Sequence, residues 1–206
     1  MQFGLFEQPL HFDTFDEVID ALMKLEDDPL FPEGTNIVIY RGSPTADIMI
    51  IGEAPGTEED RLGKPFVGPA GRLLDQILEA AGLEPDKDVF ITNAVFRLPP
   101  GEGGKAFRKP TLDELRYYKP YLLELIRLVD SKIILLAGNA AVESILGESG
   151  ITKLRGKWFE WHGRWVMPIF HPAYLLRNPS READGPKALT WRDFQEVSKK
   201  HKELAG

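Results

Sequence analysis

Four short stretches constrain this chain's fold more than anything else in it: residues 47–52 (DIMIIG), 89–95 (VFITNAV), 132–137 (KIILLA) and 165–170 (WVMPIF). Each is nearly continuous in apolar and β-branched residues and is bounded by turn formers, the pattern of a strand covered on both faces. Helical patterns lie between them. Residues 71–81 place Leu73, Leu74, Ile77 and Leu78 on one face and stop at Gly82. Thr111 with Glu114 forms a capping box ahead of Leu115, Tyr118, Leu122, Leu125 and Ile126. Residues 139–146 and 187–204 continue the series, and Asp13 or Thr14 caps an N-terminal helix with Phe15, Val18, Ile19, Leu22 and Leu25. Strands alternating with helices predict parallel pairing through right-handed crossovers. The expected fold is α/β, a three-layer α/β/α sandwich around a central four-stranded parallel sheet, as one domain over residues 1–206. Ligands in such sheets bind at the carboxyl ends of strands, which directs attention to residues 52–56, 93–97, 138–139 and 171–176.

Composition removes several classes of function. There is no cysteine, so disulfides, thiolate nucleophiles, zinc–thiolate sites and cysteine-held iron–sulfur clusters are excluded. The four histidines (His11, His162, His171 and His201) show no metal-ligand spacing, and neither a metal nor a cofactor is expected. No apolar run approaches the roughly 18 residues that cross a bilayer, and the N-terminus lacks the pattern of a signal peptide. The expectation is a soluble cytoplasmic monomer with no membrane partner. The net charge of -7 is unevenly spread: residues 1–60 hold fourteen acids and two bases, whereas residues 151–206 hold eleven bases and six acids. A phosphate backbone responds to the local field rather than the total, so the basic C-terminal part permits nucleic-acid binding without requiring it.

The loops after the strands carry the candidate chemistry. Gly52-Glu53-Ala54-Pro55-Gly56 joins small residues, which let a ligand approach backbone N–H groups, to an acid at a strand's end. It is equally a tight turn whose following acids, Glu58, Glu59 and Asp60, favour a helix N-terminus. The segment Gly63-Lys64-Pro65-Phe66-Val67-Gly68-Pro69-Ala70-Gly71 is neither a phosphate loop nor GxGxxG. Five of its nine residues are Gly or Pro, so it presents Phe66 from a restrained loop, to stack on a planar base or to join the core. Asn93 offers a donor and an acceptor together, for a base edge or for loop backbone. After the fourth run comes His171-Pro172-Ala173-Tyr174-Leu175-Leu176-Arg177-Asn178-Pro179. Its histidine can donate to developing negative charge, Leu175 or Leu176 can enter a base stack, and Arg177 can hold phosphate.

In order and spacing, Gly52-Glu53-Ala54-Pro55-Gly56, Gly63-Lys64-Pro65-Phe66-Val67-Gly68, Asn93 and His171-Pro172-Ala173 together resemble the family 4 uracil-DNA glycosylases. The resemblance runs from about residue 37 to 197 and takes in Gly156-Lys157-Trp158 and Leu189-Thr190-Trp191. It implies the same sandwich fold and a partner, DNA containing uracil, whose flipped base is hydrolysed from its sugar. It implies catalytic roles for Glu53, at the water or cationic sugar, and for His171, at O2. Gly52, Ala54, Phe66 and Asn93 would bind the base, while Tyr174, Leu175, Leu176, Arg177 and Arg181 would meet DNA. No lysine stands among the pocket positions, so strand cleavage through a Schiff base is not expected. Family members characteristically hold a four-iron, four-sulfur cluster on four cysteines, all missing here. The ligand positions fall near residues 28–30, Arg97 and Tyr118, where packing or ion pairing is expected to replace the cluster. The alternative is a non-catalytic damaged-DNA-binding module of the same fold, which has no need of Glu53, Asn93 and His171 together. An enzyme of free nucleosides, in turn, would have no use for the segment 174–178 or the Arg177/Arg181 pair.

Overall fold

A computed structural model of the chain describes residues 10–101, 107–180 and 182–205. The four expected strands are present as β2 (Ile48–Gly52), β3 (Val89–Asn93), β4 (Ile133–Ala137) and β6 (Arg164–Ile169), and they pair in parallel. The expected sheet is nevertheless too small. Two further strands, β1 (Tyr40–Gly42) and β5 (Phe159–Trp161), join antiparallel to β3 and β6 and complete a mixed six-stranded sheet of order β1-β3-β2-β4-β6-β5. Both added strands have three residues and neither is fully buried, so they lack the continuous apolar run that marks the central four.

Eight α-helices are described: α1 (Phe15–Met23), α2 (Thr57–Leu62), α3 (Pro69–Ala80), α4 (Leu112–Val129), α5 (Asn139–Leu146), α6 (Ile151–Leu154), α7 (Pro172–Arg177) and α8 (Pro186–Ala205). Strand alternation sorts the core into two halves. Met49, Ile51, Phe90, Ile134 and Leu136 face one way, onto Val18 and Leu22 of α1, Leu122 and Leu125 of α4 and Val142 of α5. Ile48, Ile50, Val89, Ile91 and Leu135 face the other, onto Leu74 and Leu78 of α3 and Phe194 and Val197 of α8. The result is the expected three layers. The expected capping box of Thr111 with Glu114 forms on α4, and on α1 the cap is Thr14, which forms a second box with Glu17.

The positions where the resemblance places cluster ligands converge on one buried network. Arg97 donates through Nε to Asp28 Oδ2 at 2.9 Å and through Nη2 to the Leu25 carbonyl at 2.8 Å, and it also bonds the Thr35 carbonyl. The Tyr118 hydroxyl donates to Asp28 Oδ1 at 2.5 Å, and the Leu30 amide donates to the same oxygen. Arg97 also lies over the Phe31 ring at 5.3 Å. Burial and the Asp28 carboxylate push the Tyr118 phenol far above its usual range, so it stays protonated and remains a donor. The network ties the connection after α1, the segment after β3 and the middle of α4 together.

Candidate active site

β2 and β3 end in register, with Gly52 opposite Asn93. Both continue the strand rows that face α3 and α8, and both are buried. The absence of a side chain at Gly52 is what lets the two neighbours meet there. A Cβ on Gly52 would lie 2.3 Å from Asn93 Oδ1 and 2.6 Å from the Phe66 ring. Phe66 reaches this spot from the loop between α2 and α3 and is 5% exposed. Its ring stacks on the His171 imidazole, with centroids 5.5 Å apart and planes inclined by 27°. His171 follows β6, with its Cβ 3.3 Å from where a Cβ on Gly138, at the end of β4, would stand. Carboxyl ends of all four parallel strands thus contribute to one place, as the topology predicts.

The chemistry of each group follows from its surroundings. His171 caps α7: its Nδ1 accepts the Ala173 N–H at 3.2 Å. A ring whose Nδ1 is an acceptor carries its proton on Nε2, so Nε2 is the donor. Burial, helped by the positive charge of Arg177, holds the imidazole down to about 4, which leaves it neutral near pH 7. Asn93 is 1% exposed, and its Oδ1 has no hydrogen-bond partner among the described residues. A buried acceptor without a protein partner is costly, and Oδ1 is free to take a hydrogen bond from a bound molecule. Burial raises the Glu53 carboxyl above the ordinary carboxylate range, while the charges of Lys109 and Arg177 oppose that rise. Ala54 is partly buried beside it and packs towards the α1 and α4 layer.

Phe66, Asn93 and His171 therefore meet around Gly52; Glu53 follows Gly52 directly and, like His171, feels the charge of Arg177, whereas Ala54 packs towards the other layer. The segment expected to meet DNA divides. It is a helix, α7, rather than a loop, and Leu175 is 1% exposed while Leu176 is 45% exposed. Leu175 packs inward and is not presented to a partner; Tyr174, Leu176 and Arg177 face outward. Arg181 lies outside the described residues. The charge of Lys109, ahead of α4, acts on Glu53 although no sequence signal pointed to it.

The model of the family described as the Uracil DNA glycosylase superfamily matches residues 39–195. The chain belongs to that superfamily. The matched span holds Glu53, Phe66, Asn93, His171 and the outward face of α7, and it ends within α8. The chain is similar to superfamily proteins named type-4 uracil-DNA glycosylases. That of Sulfurisphaera tokodaii is 39% identical, over 82% of this chain and 78% of the relative. That of Thermotoga maritima is 39% identical, over 75% and 79%, and that of Saccharolobus solfataricus is 37% identical, over 81% and 79%.

Proposed function

We propose that the protein excises uracil from DNA, as a monofunctional glycosylase acting as a single-domain monomer. The observation that carries this is the meeting of Phe66, the unpartnered Oδ1 of Asn93 and a neutral imidazole donor over Gly52. Phe66 and His171 are too close for a third ring between them, since two stacking gaps need ~7 Å. A base stacked on Phe66 therefore takes its place beside the imidazole, where Nε2 can meet the base edge.

Uracil fits these groups atom by atom. Asn93 Oδ1 accepts from N3–H and its amide donates to O4, whereas cytosine presents the opposite pattern and would leave the buried amide unpaired. As the N1–C1′ bond breaks, its electron pair leaves with the base and spreads to O2, where His171 Nε2 donates. Glu53, whose basicity burial raises, faces the cationic sugar and takes a proton from the water that attacks C1′. Reaching the base requires flipping the nucleotide from the duplex, at a cost of a few kcal/mol. Leu176 fills the vacated space, and Tyr174, Arg177 and Arg181 contact the strand.

The residues do not fit an iron–sulfur cluster. A guanidinium, a carboxylate and a phenol stand at the expected ligand positions, already spent on one another, and the sequence contains no cysteine. The proposed chemistry needs no such group. Incubation with labelled single-stranded and duplex oligonucleotides carrying uracil, hypoxanthine or mismatched thymine tests the function. Free uracil with an intact abasic strand is expected. Binding without base release would instead identify a damage-recognition module.

A further inference from the structure

Phe66 has a φ of 54°, a backbone conformation a bulky residue adopts only when its surroundings impose it. Its neighbours impose it from several directions. Arg41 of β1 donates through Nε to the Pro65 carbonyl at 3.0 Å and is held through Nη2 by Asp75 of α3 at 2.5 Å. Glu59 of α2 accepts from the Val67 N–H at 3.0 Å and the Gly68 N–H at 2.8 Å, both on Oε1. Arg72 donates to the Val67 carbonyl at 3.1 Å. Beneath, Gly71 lies so near that a Cβ there would stand 1.7 Å from the Phe66 carbonyl oxygen.

Glu59 also does for α3 what its own N-cap cannot. Gly68 has no side chain to cap with, and the carboxylate of Glu59 takes the free amides at that N-terminus instead. Two glycines make room for it: a Cβ on Gly56 would stand 2.8 Å from Glu59 Oε2, and one on Gly68 would stand 3.1 Å from Oε1. Read as a sequence, Glu59 was only an acid favouring a helix start. In the fold it spans from the turn that carries Glu53 to the loop that carries Phe66.

We propose that Glu59 and the Arg41–Asp75 pair are positioning residues that fix the Phe66 ring as a preformed platform for the flipped base. The proposal rests on the glycosylase assignment for its consequence, but not for its geometry. Loss of the Glu59 clamp lets Phe66 relax away from Gly52 and Asn93. Glu59→Ala is expected to lower the single-turnover rate of uracil release about 10- to 100-fold. Affinity for a duplex containing a tetrahydrofuran abasic analogue, which offers no base to stack, stays at the wild-type value. Glu59→Gln keeps an Oε1 that accepts both amides and restores the rate. Arg41→Lys cannot reach Pro65 and Asp75 together and behaves like Glu59→Ala.

Hydrogen exchange over residues 66–72 supplies a readout independent of activity. Exchange should be faster in Glu59→Ala and normal in Glu59→Gln. If wild-type protein releases no uracil, the functional assignment fails and exchange alone decides the clamp. Unchanged exchange in Glu59→Ala overturns it, as does equal loss of abasic-duplex binding or a failure of Glu59→Gln to recover.

Discussion

Replacing Arg97 with methionine removes a charge from a place that has nothing to take over its bonds. The guanidinium is 6% exposed, and its partner Asp28 is 2% exposed. Methionine has similar volume but leaves the Asp28 carboxylate buried beside the Tyr118 hydroxyl, with the carbonyls of Leu25 and Thr35 also stripped of a donor. Breaking one side of a buried pair costs about 3–5 kcal/mol, and so little solvent reaches the site that screening does not reduce it. For a chain of this size each kcal/mol moves Tm by roughly 2–4 °C, which gives an expected drop of about 6–20 °C. Removing the whole polar set changes the balance. Asp28→Leu with Arg97→Met and Tyr118→Phe leaves no buried charge, only the Leu25 and Thr35 carbonyls and the Leu30 amide, neutral groups that cost ~1–3 kcal/mol each when unpaired. The triple variant is therefore expected to melt above Arg97→Met. Urea unfolding and calorimetry of the two variants check this. A loss under about 1 kcal/mol in Arg97→Met, or a triple variant no better than the single, refutes the network as the staple of this region. So would stoichiometric iron in freshly purified protein.

His171→Ala removes the proposed donor to O2 and should slow single-turnover release by ~10²–10³-fold without altering abasic-duplex affinity. Because His171 is held neutral in the fold, with its pKa lowered from 6.5 to about 4, the unfolded chain takes up a proton first as pH falls. Its contribution is complete above 6.5 and is lost on descending towards 4, so wild type should lose stability relative to His171→Asn across that window, followed by urea midpoints. Gly52→Ala drives a Cβ into Asn93 Oδ1 and the Phe66 ring, and uracil release should fall at least about 100-fold while the fold persists by circular dichroism. Leu176→Ala removes the exposed side chain proposed to fill the duplex, so release from duplex DNA should fall several-fold more than release from a single strand.

The central sheet was legible because its four strands are buried on both faces and must be apolar throughout, as in Ile133–Ala137. β1 and β5 were not, because an edge strand of three half-exposed residues has no pattern to show. The meeting of Phe66, Asn93 and His171 was legible from the order and spacing of the motifs that carry the family resemblance, at strand ends and in a Gly/Pro-rich loop. Their partners were not: Glu59 reads as a surface acid, and only the fold brings it 2.8 Å from the amide of Gly68. The segment after His171 reads as a loop because of its two prolines. Pro172 instead occupies the first turn of α7, where its missing N–H costs nothing, and helical geometry then turns Leu175 inward and Leu176 outward.

Three arginines repeat one device near these loops, which have no disulfide to hold them because the chain has no cysteine. Arg41 bonds Asp75 and the Pro65 carbonyl, beside Phe66. Arg97 bonds Asp28 and two carbonyls, at the end of the segment that follows Asn93. Arg155 bonds Asp193 and the Leu189 carbonyl and lies over Phe170, the residue before His171. In each case a carboxylate orients the guanidinium, and the remaining N–H groups take main-chain carbonyls, those of Pro65, of Leu25 and Thr35, and of Leu189. A lysine offers a point charge and cannot serve a carboxylate and a carbonyl in fixed directions at once, whereas the planar fork of arginine can. The carboxylate matters as much as the cation, because a lone buried guanidinium would carry an uncompensated charge into the protein. An ion pair thus stands close to each of the three groups: Arg41–Asp75 bonds the residue before Phe66, Arg97–Asp28 lies just after Asn93 in the chain, and Arg155–Asp193 lies against the residue before His171.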